Sequence, residues 1–119
     1  MKITHLALLL FMAFAGTNTI VAQTQTEMNI LADKKFKKVD SEMNHVYKQL
    51  LMVVNANDKL LLTNAQKNWL RFRDSHCKFE ESAYTGGSIQ PMVRSNCLTE
   101  VTKRRVMELR QSLKSRTNK

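Results

Sequence analysis

The chain has 119 residues, 19 Lys and Arg against 10 Asp and Glu, a formal net charge of +9, and 43% hydrophobic residues. That length supports one domain with a single modest core and excludes two. The positive excess points toward acidic partners, with a solvated surface as the plain alternative, because the basic residues are spread along the whole chain.

The first segment reads as an export signal. Met1-Lys2 gives a short positive end, Leu6 to Phe14 an apolar run too short to span a bilayer, and Ile20-Val21-Ala22 a small residue suited to a signal peptidase. Cleavage is expected after Ala22, with a cut near Ala15 as the alternative, leaving residues 23–119 as the mature domain, periplasmic or secreted. No cysteine stands near the cleavage point to take a lipid, and no later segment is long and apolar enough for a membrane helix, so a form not anchored to the membrane is expected. An exported basic protein meets anionic cell-wall polymers, lipopolysaccharide or acidic proteins, and no nucleic acid.

From Thr26 to Val54 apolar residues recur at 28, 32, 36, 39, 43, 46, 50 and 53, steps of four and three that mark one face of a long helix. Thr24 and Glu27 have capping-box spacing at its front, and Lys34, Lys35, Lys37 and Lys38 load its polar face. Asn55-Ala56-Asn57-Asp58 then supplies turn formers and an N-cap. A second helix is expected from Lys59 to Ala83 with Leu62, Ala65, Trp69, Phe72, His76, Phe79 and Ala83 facing the core. The paired glycines Gly86 and Gly87 break the period, and Pro91 can open a third helix that carries Leu98, Thr102, Val106, Leu109 and Leu113 inward. Lys114 to Lys119 is expected to fray.

Three helices with short connections predict an all-α, antiparallel three-helix bundle running up-down-up. Cys77 lies seven residues before Tyr84 and Cys97 six after Pro91, so in an antiparallel pair both sit roughly 10 Å from the hairpin end. In an oxidising compartment these two cysteines are expected to form a bridge linking helices 2 and 3.

Several short patterns occur in a fixed order: Glu27-Met28-Asn29; Asp40-Ser41-Glu42-Met43-Asn44 with Tyr47; Ala65-Gln66, Trp69, Phe72-Arg73-Asp74 and Cys77; then Gly86-Gly87-Ser88, Pro91-Met92 and Cys97-Leu98. Together they resemble the LprI-type lysozyme inhibitor family over nearly all of the mature chain. The resemblance implies an exported helical domain that binds and blocks lysozyme, or that protects against a secreted antibacterial toxin as its immunity partner. Where the family often has a cysteine after Met-Asn, this chain has Ile30-Leu31, which leaves Cys77–Cys97 as the pairing available.

The hairpin is the first candidate for a partner-binding surface. A loop pinned by a disulfide loses little entropy on docking, Gly86 and Gly87 allow close backbone approach, and Tyr84 and Ile89 are anchor types. The alternative is that the glycines only turn the chain while Ser88 or Gln90 caps the third helix. Common animal lysozymes are themselves basic, so encounter with this chain is repulsive. Asp74, Glu80 and Glu81 could offset that repulsion if exposed together, or the target could be a less basic lysozyme-like toxin.

Trp69 and Phe72 are expected in the core, and an Asp40–Arg73 pair is expected to lock helix register as a structural feature. His76, Cys77 and Cys97 fall short of the four ligands a structural zinc site needs, so no metal or other cofactor is implied. A bundle this small offers little room for a cleft between two catalytic carboxylates, and no serine or cysteine has a convincing base, so catalysis is not expected. If the Lys34–Lys38 and Lys103–Arg105 runs converge on one side they could hold an anionic cell-wall glycan or lipid, with binding that weakens as salt rises.

Overall fold

The computed structural model describes the backbone of residues 3–118 and the side chains of residues 22–118. Three helices follow in chain order, α1 (Ile3–Val53), α2 (Ala56–Ser82) and α3 (Gln90–Thr117), with no strand among the described residues. The leader expected over residues 1–22 falls, up to Val21, outside the described side chains. Thr24 and Glu27 do not mark a helix start, because α1 continues through both.

The turn between α1 and α2 is two residues long. Asn55 holds an extended backbone (φ −72°, ψ 173°), and its side-chain oxygen accepts the Asp58 amide at 2.8 Å, satisfying one of the amide donors a helix start leaves open. Pro91 sits in the first turn of α3, where its missing N–H costs no helical bond. At the other end α3 runs on to Thr117, into the basic segment. Lys114 and Arg116 lie in the last turn, where positive charge complements the helix dipole.

Cross-helix contacts fix the topology. Asp40, Met43 and Tyr47 on α1 meet Arg73, Gln66 and Thr63 on α2, with numbers rising on one helix and falling on the other, so the two are antiparallel. Glu81, Cys77 and Gln66 meet Arg94, Cys97 and Arg105 in the same opposed order on α3. α1 and α3 are therefore parallel, as the Asn29–Ser88 and Glu42–Arg110 contacts require. The chain is an up-down-up bundle, and the Cys77–Cys97 disulfide joins α2 to α3 with the two Cα atoms 5.6 Å apart.

One part of the core is made by Val39, Met43, Val46 and Leu50 of α1 with Val106 and Leu109 of α3. A second surrounds the disulfide and contains Cys77, Leu98 and Val101. The α1 face matches its expected period except at its ends, where Met28 and Val53 are exposed and Val54 packs instead.

α2 departs from expectation. Its buried residues are Gln66, Arg73 and Cys77, with Leu62 and Trp69 half-buried, whereas Phe72 is 58% exposed, Phe79 73% exposed, and Ala65 and Ala83 lie on the surface. The reason is rotational. Cys77 must point at α3 to reach Cys97, and Arg73 must point at Asp40; positions 72 and 76 each lie about 100° around the helix from these. Once those two partners are met, Phe72 and Phe79 face outward, while Trp69 still packs against both parts of the core.

Candidate functional site

The segment between α2 and α3 is a dense run of local hydrogen bonds. The Tyr84 amide donates to the Glu81 carbonyl at 2.9 Å, Gly87 to Tyr84 at 2.9 Å, and Gln90 to Gly87 at 3.2 Å. Ser82 and Thr85 hydroxyls donate to the Phe79 and Ser82 carbonyls at 2.6 and 2.8 Å. Gly86 has φ +81°, the left-handed region open to glycine. A Cβ added to Gly87 would stand 3.2 Å from the Tyr84 carbonyl oxygen, so that position is tight against backbone. The N-cap of α3 is Ile89 and has no side-chain cap; the Gln90 side-chain oxygen instead accepts the Gly86 amide at 3.1 Å, tying the loop to the helix that follows.

Two further ties hold the loop from outside. Cys77–Cys97 fastens the two stems about two turns below it, with Cys77 fully buried. From α1, the Asn29 amide donates to the Ser88 carbonyl at 3.0 Å, and Gln25 reaches the Met92 sulfur at 3.9 Å. Tyr84, Gly86, Gly87 and Ser88 are exposed above these anchors and Ile89 is half-buried. The result is a loop whose backbone is largely set before any partner arrives, which lowers the ordering cost of docking.

The acids near the loop are not exposed together. Glu81 is turned inward, its side chain 13% exposed, and accepts from Arg94 at 3.1 Å. Asp74 accepts from Arg73 at 3.0 Å. Glu80 is on the surface with no ion pair among the described residues. From Ser82 to Val93 the chain carries no charged side chain, so the tip is close to neutral in a strongly basic protein.

Arg73 forms a separate polar centre inside the bundle. Its Nη1 donates to Asp40 at 2.8 Å and to the Thr102 hydroxyl at 3.4 Å, and its Nε donates to Asp74 at 3.0 Å. The guanidinium lies 5.3 Å from the ring centroids of both Phe36 and Trp69. This one cation touches all three helices. Both cysteines are committed to the disulfide and cannot ligate a metal in this state.

Of the basic runs, Lys35, Lys38 and Lys103 line one cleft of about 280 Å³ with Val39, Glu42 and Thr99. Lys37 instead pairs with Asp33, Lys103 also reaches Glu100, and Arg105 is held by Gln66 and Glu108 while covering the Trp69 ring. The runs therefore converge only in part.

Sequence reasoning did not single out Asn29 or Arg94 as braces of the hairpin. Asn29 stood inside a quoted motif, Glu27-Met28-Asn29, and that was a usable signal. Arg94 left none, because its pairing with Glu81 depends on how two helices are rotated.

These features define a disulfide-stapled three-helix domain that presents a stiff, nearly neutral loop. The model of the lysozyme inhibitor LprI matches residues 17–109, and the chain belongs to that family. An uncharacterized protein of Rhizobium meliloti (strain 1021) is 33% identical over 110 residues, covering 82% of this chain and 79% of the relative. No solved structure matches the chain. Among the described residues, no helix is long and apolar enough to cross a membrane.

Proposed function

We propose that the protein is exported and inhibits a lysozyme or lysozyme-like muramidase by steric occlusion, laying the α2–α3 loop over the enzyme's substrate cleft. The observation that carries this reading is the bracing of the loop by the disulfide below and by Asn29 from the side, with Tyr84 exposed above. The chain acts by binding, and membership of an inhibitor family supports that. A protective role beside a secreted antibacterial toxin is the finer form of the same proposal. A neutral tip lets the domain meet a basic enzyme without placing positive charge against positive charge at the contact.

The test is cell-wall lysis by an animal c-type lysozyme and by a bacterial muramidase, each with purified residues 23–119 added across a range of salt. Inhibition that persists at high salt and is lost in Tyr84→Ala, with melting unchanged, supports the reading; absence of inhibition of either enzyme at large excess overturns it. The cleft of Lys35, Lys38 and Lys103 favours a second reading, binding of an anionic cell-wall glycan or lipid headgroup. That reading predicts sedimentation with wall material that weakens steeply as salt rises.

A further inference from the structure

The end of the bundle farthest from the hairpin, where α1 turns into α2 and α3 stops, is apolar on its outside as well as its inside. Leu50, Val54 and Leu62 pack on the core there. Met52, Val53, Leu60 and Leu61, their neighbours in the chain, are all exposed, Met52 to 82% and Leu60 to 69%. Leu61, Leu62 and Ala65 also line a cleft of about 230 Å³ that opens toward Arg116 of α3. A helix segment that is apolar all round is normally covered. Among the described residues no part of the chain covers this end.

The same end collects positive charge. Lys48 lies one turn before Met52 on the same face of α1, Lys59 precedes Leu60, and Lys114 and Arg116 occupy the last turn of α3. All four cations are exposed, and none stands in an ion pair among the described residues. Acids are scarce: Asp58 is the sole one between Met43 and Arg73, and none follows Glu108. Asp58 shares the cleft with Arg116, which leaves Lys48, Lys59 and Lys114 unopposed around the exposed aliphatic side chains.

We infer that this end docks on the surface of an anionic phospholipid bilayer, with Met52, Val53, Leu60 and Leu61 entering the headgroup layer and the surrounding cations meeting lipid phosphates. Exposed aliphatic groups ringed by lysine and arginine are the composition that settles at a membrane interface, where apolar burial and attraction to anionic lipid add. Long basic side chains keep their charges at the phosphates while their stems follow the apolar groups inward. Two other occupants fit less well. Protein interfaces are anchored mainly by Trp, Tyr and Arg, with Leu and Val under-represented, and none of the four exposed apolar residues here is aromatic. A second copy of the chain would set cations against cations. α2 is 27 residues long, so the hairpin stands about 40 Å from the docked end and stays free to meet a partner. The inference concerns a separate surface and stands without the lysozyme reading.

The experiment is flotation of residues 23–119 with vesicles of phosphatidylcholine alone and of equal parts phosphatidylcholine and phosphatidylglycerol. That span holds the whole described core and the disulfide, and it omits the apolar run Leu6 to Phe14, which would itself bind lipid. Binding is expected to the anionic vesicles, with little to phosphatidylcholine alone, and it should weaken as salt rises. Met52→Ser and Leu60→Ser are each expected to weaken it on the order of tenfold, with melting unchanged because both side chains are exposed. Lys59→Gln combined with Lys114→Gln is expected to weaken it on the order of tenfold as well. Lys34→Gln combined with Arg104→Gln removes the same charge away from this end and is expected to cost no more than about twofold. Absence of binding to anionic vesicles overturns the inference. So does full binding by the doubly substituted Met52→Ser, Leu60→Ser protein. Equal losses from the two charge pairs show diffuse attraction with no docking end, and the inference fails. If light scattering shows a wild-type dimer that Leu60→Ser dissolves, the occupant is a second copy and the inference fails.

Discussion

Replacing Arg73 with alanine is the sharpest test of how the bundle holds its register. The guanidinium is almost entirely enclosed, donates to Asp40, Asp74 and Thr102, and lies against two rings. A hydrogen bond to a charged group contributes roughly 1.5–3 kcal/mol. Each cation–ring contact adds about 0.5–1 kcal/mol. Breaking a fully buried pair would cost still more, but Asp40 and Asp74 keep 32% and 56% of their side-chain surface in water and can rehydrate when the arginine is lost. The balance is a loss of about 2–3 kcal/mol. For a domain of this size that lowers the melting temperature by on the order of 10–20 °C. Thermal and urea unfolding of Arg73→Ala, Asp40→Asn and the double variant measure it, and the double-mutant cycle isolates the Asp40–Arg73 part. Arg73→Met, which keeps most of the stem packing, is expected to lose less than Arg73→Ala. If Arg73→Ala melts within about 0.5 kcal/mol of wild type while losing lysozyme binding, Arg73 belongs to the binding surface and the register argument is wrong.

Two further perturbations act on the loop. Replacing Cys77 and Cys97 by serine opens a closure of 20 residues, and the chain-entropy model puts the loss at about 3 kcal/mol; unfolding in urea checks this, and hydrogen exchange over residues 82–90 is expected to rise with it. Gly86→Ala places a Cβ in the left-handed region, where φ is +81° but the space is open, so a loss of about 1 kcal/mol is expected. A Gly86→Ala melting curve identical to wild type would show that the loop relaxes to another conformation.

Much of the architecture was legible in the sequence because local chemistry and tertiary packing agree there. Pro91 opens α3 as expected, and Asn55, the first of the turn formers 55–58, caps α2 at Ala56, three residues before the start expected at Lys59. The distances of Cys77 and Cys97 from the hairpin end agree with the bridge expected of the two cysteines in an exported chain, and the disulfide joins them. The rotation of α2 was not legible. An apolar stripe through Phe72 and Phe79 has the right period, and period alone cannot say whether a stripe faces the core. The positions that do face it, Gln66 and Arg73, are polar, and their burial is offset by partners on other helices: the Met43 sulfur, Arg105, Asp40 and Thr102. α3 runs through Lys114 and Arg116 to Thr117, and at a helix C-terminus those positive charges favour the helix.

The outward turn of Phe72 and Phe79 follows from what stabilises the bundle. α2 has enough apolar residues to fill a core position on either of two faces, and the contacts of Arg73 and Cys77 decide which face is spent inside. Had Phe72 and Phe79 packed inward, Arg73 would have been driven toward solvent and the two cysteines would have pointed apart. The polar centre and the disulfide therefore do more than hold three helices together: by fixing the rotation of α2 they hold an aromatic, uncharged face on the surface of a basic protein. It follows that Asp40→Asn should loosen the rotation of α2 before the domain unfolds, which faster hydrogen exchange along α2 and a changed Phe72–His76 ring contact in nuclear magnetic resonance would report.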